Sequence, residues 1–353
     1  MAAQVHAPCT TGSDVKTVAV HPDSHLAPTA IGEVELTQGL HARDHASSVL
    51  AHVVRFDPGG EPDHSPAGPD RGHGEEEIDH PSSVASTGAF VHTGAVPEIL
   101  EVETYRRSAD VVVGRRVKAV SDPDPIVCVD RGTFGPLVGR RVNSTTRRGK
   151  VMTIHFSGGL SLDLHFGMSG RLVVDGDGAI DRLVYGASDG PGGGRWDRFA
   201  LVFGRGSLVL SDPRRFARVR WHEGYDGLGV DAFDLEERQL SAILVGRRAP
   251  VKAVLLDQTA VAGLGNMLVD EILWRASIRP DRRADDLSPV ERRRIHREIT
   301  RVLPDLLRRG GSHAGRLSFE LREPGSRCPR DGSELSRLTC GGRTTYWCPG
   351  HQV

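Results

Sequence analysis

The chain has 353 residues, long enough for two or three domains, and its 45 Lys+Arg against 46 Asp+Glu leave it almost neutral. No run of about 18 apolar residues occurs, so no membrane span is expected, and residues 1–30 lack the basic start and apolar core of a secretory signal. Five cysteines, three of them at or beyond position 328, suit a metal knuckle in a reducing compartment rather than a disulfide framework.

The near-zero total conceals two regions. Residues 1–96 hold 4 Lys+Arg against 13 Asp+Glu, a balance of −9, together with 10 of the 16 histidines. From Pro97 onward the counts are 41 and 33, a balance of +8, which suits a polyanion binder. The stretch from Asp57 to Thr93 is rich in Gly, Pro, Ser, Asp, Glu and His. It has too few large apolar side chains to offset chain entropy, and only Ile31–Phe56 could hold structure. Residues 1–96 therefore read as a disordered extension or as the product of a misplaced start.

From Pro97 the texture changes. Residues 98–114 carry the period of an amphipathic helix closed by Gly114. Short alternating segments follow at Val151–Phe156, Leu160–His165, Arg171–Val174, Phe199–Phe203, Ser207–Leu210 and Ala217–Trp221. Their spacing and turn residues predict a β-sandwich or barrel. The Gly-rich stretch Gly186–Gly194 reads as a loop, and after Asp231 the period becomes helical. Ser288-Pro289-Val290-Glu291 forms a capping box with proline at the first helical position. The helix behind it places Ile295, Ile299, Val302 and Leu306 at core spacing, with an expected kink at Pro304.

The tail reads Cys328-x2-Asp331-x16-Cys348-x2-His351, close to the spacing of a hairpin zinc finger. Gly341-Gly342 marks a two-residue turn that would pair positions 335 and 348 and bring both knuckles to one end. Thiolate, carboxylate and imidazole are all zinc ligands, so Cys328, Asp331, Cys348 and His351 form a permissible set for one structural Zn2+. Cys340 lies beside the turn, about eight residues and roughly 25 Å along an extended strand from the knuckle, which excludes it. The fold class expected is α+β and multidomain: an N-terminal β-sandwich with flanking helices, a helical domain, and a C-terminal β-hairpin zinc finger.

Several strings stand out in chain order: Pro97-Glu98-Ile99-Leu100-Glu101-Val102-Glu103-Thr104, Arg147-Arg148-Gly149-Lys150, His165-Phe166-Gly167-Met168-Ser169-Gly170, Asp212-Pro213-Arg214-Arg215-Phe216, Leu255–Asn266 and Gly342-Arg343-Thr344-Thr345-Tyr346. Together, over residues 97–353, they resemble the formamidopyrimidine-DNA glycosylase/endonuclease VIII family. The resemblance implies a bifunctional DNA glycosylase/abasic-site lyase of base excision repair acting on damaged double-stranded DNA. It implies a helix–two-turn–helix motif, domains at 97–228, 229–318 and 319–353, a monomer, and a cytoplasmic, nucleoid-associated location.

By the same resemblance Pro97 is the nucleophile, Glu98 the acid/base, Glu101 a supporting carboxylate, and Lys150 a phosphate-holding lysine near the lesion. Met168, Arg214 and Phe216 would enter the duplex where the nucleotide flips out, as apolar wedges and a donor can fill such a gap. The helix opening at Asn266 would offer free amides to phosphate, and Arg343 would grip the backbone from the hairpin tip. Four cysteines are usual in the family's finger, so Asp331 and His351 are departures. Only 16 residues separate Gly311 from Cys328, too few for the loop that covers 8-oxoguanine in the purine branch. That argues against 8-oxoguanine as the preferred base and leaves the lesion class open.

The nucleophile sets a condition. A terminal proline is a secondary amine with a pKa of roughly 8, whereas an internal proline nitrogen is a tertiary amide with no basic lone pair. Val96 precedes Pro97, and valine is what a GTG start gives when it is read as internal. Residues 1–95 are therefore expected to reflect a misplaced start. The alternatives are a repair enzyme whose extension is cut off, and a damaged-DNA-binding protein without catalysis, its proline blocked by a retained extension.

Overall fold

The computed structural model describes residues 96–121, 124–130, 134–178, 180 and 194–353. The expectations for residues 1–95 and for the Gly-rich stretch up to 193 lie outside the described residues.

The first helix, α1 (Ile99–Ala109), starts at Glu98, whose backbone N–H donates to the Glu101 carboxylate at 2.9 Å. It stops short of the expected end at Gly114. A 3-10 turn at Asp110–Val112 follows, and Gly114 adopts a positive φ. Nine strands come next: β1 (Val117–Ser121), β2 (Val142–Arg148), β3 (Val151–Phe156), β4 (Ser161–His165), β5 (Arg171–Val174), β6 (Asp177–Gly178), β7 (Asp197–Phe203), β8 (Ser207–Ser211) and β9 (Arg218–Trp221). They build a five-stranded sheet, β1-β7-β8-β5-β6, and a four-stranded sheet, β2-β3-β4-β9. Both bury alternate residues in one core, in which Met152, Ile154 and Phe156 of β3 meet Leu208 and Leu210 of β8. The sandwich expected from strand spacing is present.

The second half is helical: α2 (Glu237–Leu244), α3 (Val251–Leu256), α4 (Asn266–Arg275) and α5 (Pro289–Arg308). A short parallel pair, β10 (Val230–Asp231) with β11 (Val261–Ala262), lies among them. The capping box at α5 forms, with Glu291 N–H donating to Ser288 Oγ at 3.3 Å and Ser288 N–H donating to Glu291 at 2.8 Å. The helix continues through Pro304 to Arg308, and Ile295, Ile299, Val302 and Leu306 are all buried.

Helix α1 belongs to both halves. Val102, Tyr105 and Ala109 pack into the sandwich core, while Ile99 and Leu100 pack into the helical core. Residues three or four apart share a helix face, so Val102, Tyr105 and Ala109 form one stripe, while Ile99 and Leu100 lie at the N-terminal end, Leu100 rotated away from it.

The C-terminal hairpin pairs β12 (Ser336–Cys340) with β13 (Arg343–Trp347) across Gly341-Gly342, in the register read from the sequence. A buried ionic network fastens it to the helices. Lys252 Nζ, fully buried, donates to Asp270 Oδ1 and to Thr345 Oγ1 of β13, both at 2.6 Å. Arg322 donates to Asp270 Oδ2 at 2.8 Å and lies 5.6 Å over the Tyr346 ring. Each buried charge has an opposite partner, the condition under which such groups are tolerated, although Arg322 Nε and Nη2 find no hydrogen-bond partner among the described residues. The short segment before the hairpin is also pinned: Leu317 N–H donates to Glu271 at 2.9 Å, and Phe319 packs on the sandwich core. Among the described residues no helix is long and apolar enough to cross a membrane.

Candidate active site and metal centre

Glu98 is almost fully buried at the entrance of α1, directly after the buried Pro97. Its carboxylate accepts the backbone N–H groups of Met267 (2.8 Å), Gly265 (3.0 Å) and Leu268 (3.2 Å). The first turn of α4 is thus capped by a side chain from 167 residues earlier in the chain. A side chain at Gly265 would occupy the place of that carboxylate, and one at Gly263 (φ +111°) would strike Ile99. Glycine is required at both by close approach.

The expectation that α4 offers free amides to phosphate is corrected here. A carboxylate already takes three of them, because the positive end of a helix attracts the nearest buried anion. Asn266 keeps a role at the same place, since its side-chain amide donates to Thr344 O at 3.1 Å, beside Arg343 at the hairpin tip. Its Oδ1 is buried without a partner among the described residues.

Burial pushes the Glu98 pKa up to about 7; the Glu101 charge adds to this, while Lys150 and the α4 amides pull the other way. A carboxyl balanced near neutrality suits both the acid and the base halves of a proton transfer. Glu101 is fully buried and accepts from Glu98 N–H on one oxygen and from Ser312 N–H (2.7 Å) and Oγ (2.8 Å) on the other. It therefore positions the start of α1 as a supporting carboxylate.

Lys150 sits in the turn between β2 and β3, within the electrostatic reach of Glu98, Glu101 and Arg343. Burial lowers its pKa, opposed by the charge of Glu98. Asp231 fixes the turn from the helical side, accepting from Gly149 N–H and from Arg147 Nη1, each at 2.7 Å. The structure thus brings Glu98, Lys150, Asn266 and Arg343 near one another, with Pro97 beside Glu98.

Met168 is half-buried, while Arg214 and Phe216 are exposed on the neighbouring loop, the guanidinium 4.8 Å over the Phe216 ring. An aromatic ring left 45% exposed is available to a partner. No local signal in the sequence singles out His165, the first residue of the string that carries Met168. Burial, then the charges of Lys150, Arg218 and Arg220, depress its pKa to about 4, so the imidazole is neutral at physiological pH. It borders a cavity of about 390 Å³ lined also by Val151, Asp163, Arg218 and Arg220.

At the far end of α4, single donor atoms of Cys328, Asp331, Cys348 and His351 lie within 4.8 Å of one another. Cys348 Sγ is 3.3 Å from Asp331, and His351 Nδ1 is 2.8 Å from Asp331 and 3.8 Å from Cys328 Sγ. These separations suit the edges of a tetrahedron around one small cation. The outer ring nitrogen of His351 is 3.3 Å from Trp274 O, the arrangement that leaves Nδ1 free as a ligand. Cys340 points elsewhere, toward Pro280 O at 3.5 Å, as its sequence position required.

A family model described as the formamidopyrimidine-DNA glycosylase N-terminal domain matches residues 96–219, and one described as the H2TH domain of the same glycosylase matches 228–316. The formamidopyrimidine-DNA glycosylase of Acidovorax sp. (strain JS42) is 35% identical over 279 residues, spanning 72% of this chain and 98% of the relative. The crystal structure of Lactococcus lactis Fpg with abasic-site DNA aligns at 25% identity and TM-score 0.63, covering 73% of this chain and all of that one. The complex of the same Lactococcus lactis protein with N7-benzyl-Fapy-dG DNA aligns at 26% identity and TM-score 0.62, with 72% and 99% coverage. This chain belongs to the formamidopyrimidine-DNA glycosylase family.

The raised Glu98 pKa sets a pH dependence. Its folded-state value, about 7, exceeds the ordinary 4.5, so its contribution to stability is full below pH 4.5 and is lost as pH rises through 7. Between pH 5 and 8 the wild type should lose on the order of 1–3 kcal/mol more folding stability than Glu98→Gln in urea titrations. Parallel pH profiles for the two proteins would refute this assignment.

Proposed function

We propose that this base-excision DNA glycosylase uses the secondary amine of Pro97 as nucleophile, in a form of the chain that begins at that residue. The nitrogen attacks C1′ of the damaged nucleotide, the glycosidic bond breaks, and the base leaves with its electron pair and a proton. The C1′–O4′ bond of the resulting aminal then breaks as O4′ takes a proton, giving an open-chain iminium; loss of a C2′ proton expels the 3′ phosphate and a second elimination expels the 5′ phosphate. Glu98 exchanges protons with the ring oxygen, and Lys150, Arg343 and the second side-chain N–H of Asn266, rather than the capped α4 amides, hold phosphates around the lesion. Met168, Arg214 and Phe216 fill the space of the everted nucleotide.

The observation that carries this reading is the buried Glu98 carboxyl, set near neutrality beside Pro97 and facing Lys150. The position of Pro97 within the family supports the chain start. The N-terminal family match opens at residue 96, and the relatives' near-full length corresponds to only 72–73% of this chain. The reading divides the chain into a catalytic sandwich domain at 97–228, a helix–two-turn–helix domain at 229–318 and a finger at 319–353, acting as a monomer. It assigns Zn2+ to Cys328, Asp331, Cys348 and His351, where the ion would hold the two knuckles together and take no part in the chemistry. The pinned segment 315–327 supports a lesion pocket without a long covering loop, which disfavours 8-oxoguanine. The non-catalytic alternative is not favoured, because the relatives this chain matches are formamidopyrimidine-DNA glycosylases.

A chain beginning at Pro97 should form a borohydride-trapped covalent complex with abasic DNA, Pro97→Gly should trap less, and the full-length chain should not trap. Equal trapping by the full-length chain would overturn the proline mechanism. Elemental analysis should find about one zinc per chain, retained by Cys340→Ser and lost by Cys348→Ser. Equal zinc loss by both variants would overturn the ligand assignment.

A further inference from the structure

Asp212 opens the Arg214–Phe216 loop and is fully buried. One carboxylate oxygen accepts the backbone N–H of Arg214 at 3.1 Å and forms a short hydrogen bond with Ser169 Oγ. The other accepts the backbone N–H of Ala217 at 2.7 Å. Its two bonds to Arg214 and Ala217 therefore bracket Phe216, fixing both ends of that loop. Its bond to Ser169 reaches across to the loop that carries Met168. Arg198, itself buried, donates to Asp212 O at 2.7 Å, anchoring the aspartate from β7. The two loops also touch directly, since a side chain at Gly167 would collide with the Phe216 backbone.

We propose that Asp212 is the positioning residue that makes Met168, Arg214 and Phe216 one rigid wedge. The inference rests on the reading above, in which those three side chains enter the duplex. The physical reason is the cost of loop order. A wedge pays for unstacking only if it arrives in its final conformation, and loops free to move would lose that gain on binding. A carboxylate with three donors in a dry site is a strong way to set such a conformation, and an amide in its place cannot accept from all three. Three backbone and side-chain positions on two loops are thereby fixed by one group. The exposed Arg214 and Phe216 need no contacts of their own to stay in place.

The test uses the full-length protein and a duplex carrying a tetrahydrofuran abasic analogue opposite 2-aminopurine, so that no chemistry is required. Wild type should change the 2-aminopurine fluorescence on binding and prefer this duplex over an undamaged one. Asp212→Asn, and Ser169→Ala as the milder variant that cuts only the bond between loops, should each lose most of that change. Each should also lose about tenfold of the preference, the fold-change expected when a hydrogen bond to a charged group is removed. Binding to undamaged duplex and the melting temperature of Ser169→Ala should stay near the wild-type values. If wild type and Phe216→Ala give the same fluorescence change, the wedge reading itself fails. If Phe216→Ala loses the change while Ser169→Ala and Asp212→Asn keep it, only the role of Asp212 is overturned.

Discussion

A single carboxylate on the amides of one helix holds this molecule in its working arrangement. Glu98 enters from the start of α1 and caps α4 across 167 residues of sequence. Because α1 buries Ile99 and Leu100 with the helices and Val102, Tyr105 and Ala109 with the sandwich, the cap fixes the register between the two cores. The glycines at 263 and 265 follow from this contact, since neither position has room for a side chain. The raised pKa follows as well: a carboxyl buried deeply enough to cap α4 is one whose charge is penalised, and the amides and Lys150 only partly compensate. Structural role and proton-transfer capacity are two consequences of one placement.

The other site groups are held by the same device, a buried acid gathering donors from separate elements. Asp231 holds the turn that carries Lys150, Asp270 joins Lys252 and Arg322 beneath the finger, and Asp212 holds the loops of Met168 and Phe216. Each acid is buried and each has more than one donor, the condition under which a buried charge is tolerated. Arg214, Phe216 and Arg343, by contrast, remain exposed.

Much of this was legible in the sequence. The capping box at Ser288, the hairpin turn at Gly341-Gly342 and the strands at Val151–Phe156 and Arg171–Val174 appear where local pattern placed them, because each is decided by neighbours a few residues apart. Strands β1 and β2 were missed, since Val117–Ser121 and Val142–Arg148 bury few positions and carry little alternation. The four metal-site residues converge as spacing suggested, with Cys340 excluded. The long-range links were not legible. Nothing local in Pro97–Thr104 indicates that Glu98 would occupy the α4 amides, so a free anion site at Asn266 was the natural expectation. His165 and Asp212 were hidden for the same reason, as their roles depend on elements distant in sequence.

The most direct measurement of the central claim is amide hydrogen exchange, resolved by residue, in wild type and Glu98→Ala. The cap predicts about tenfold faster exchange at Gly265, Met267 and Leu268 in the variant, with Leu273 in the same helix and Ile154 in the sandwich core unchanged. Unchanged protection at all three amides would contradict it, and would mean that α4 and the two cores are aligned by packing alone.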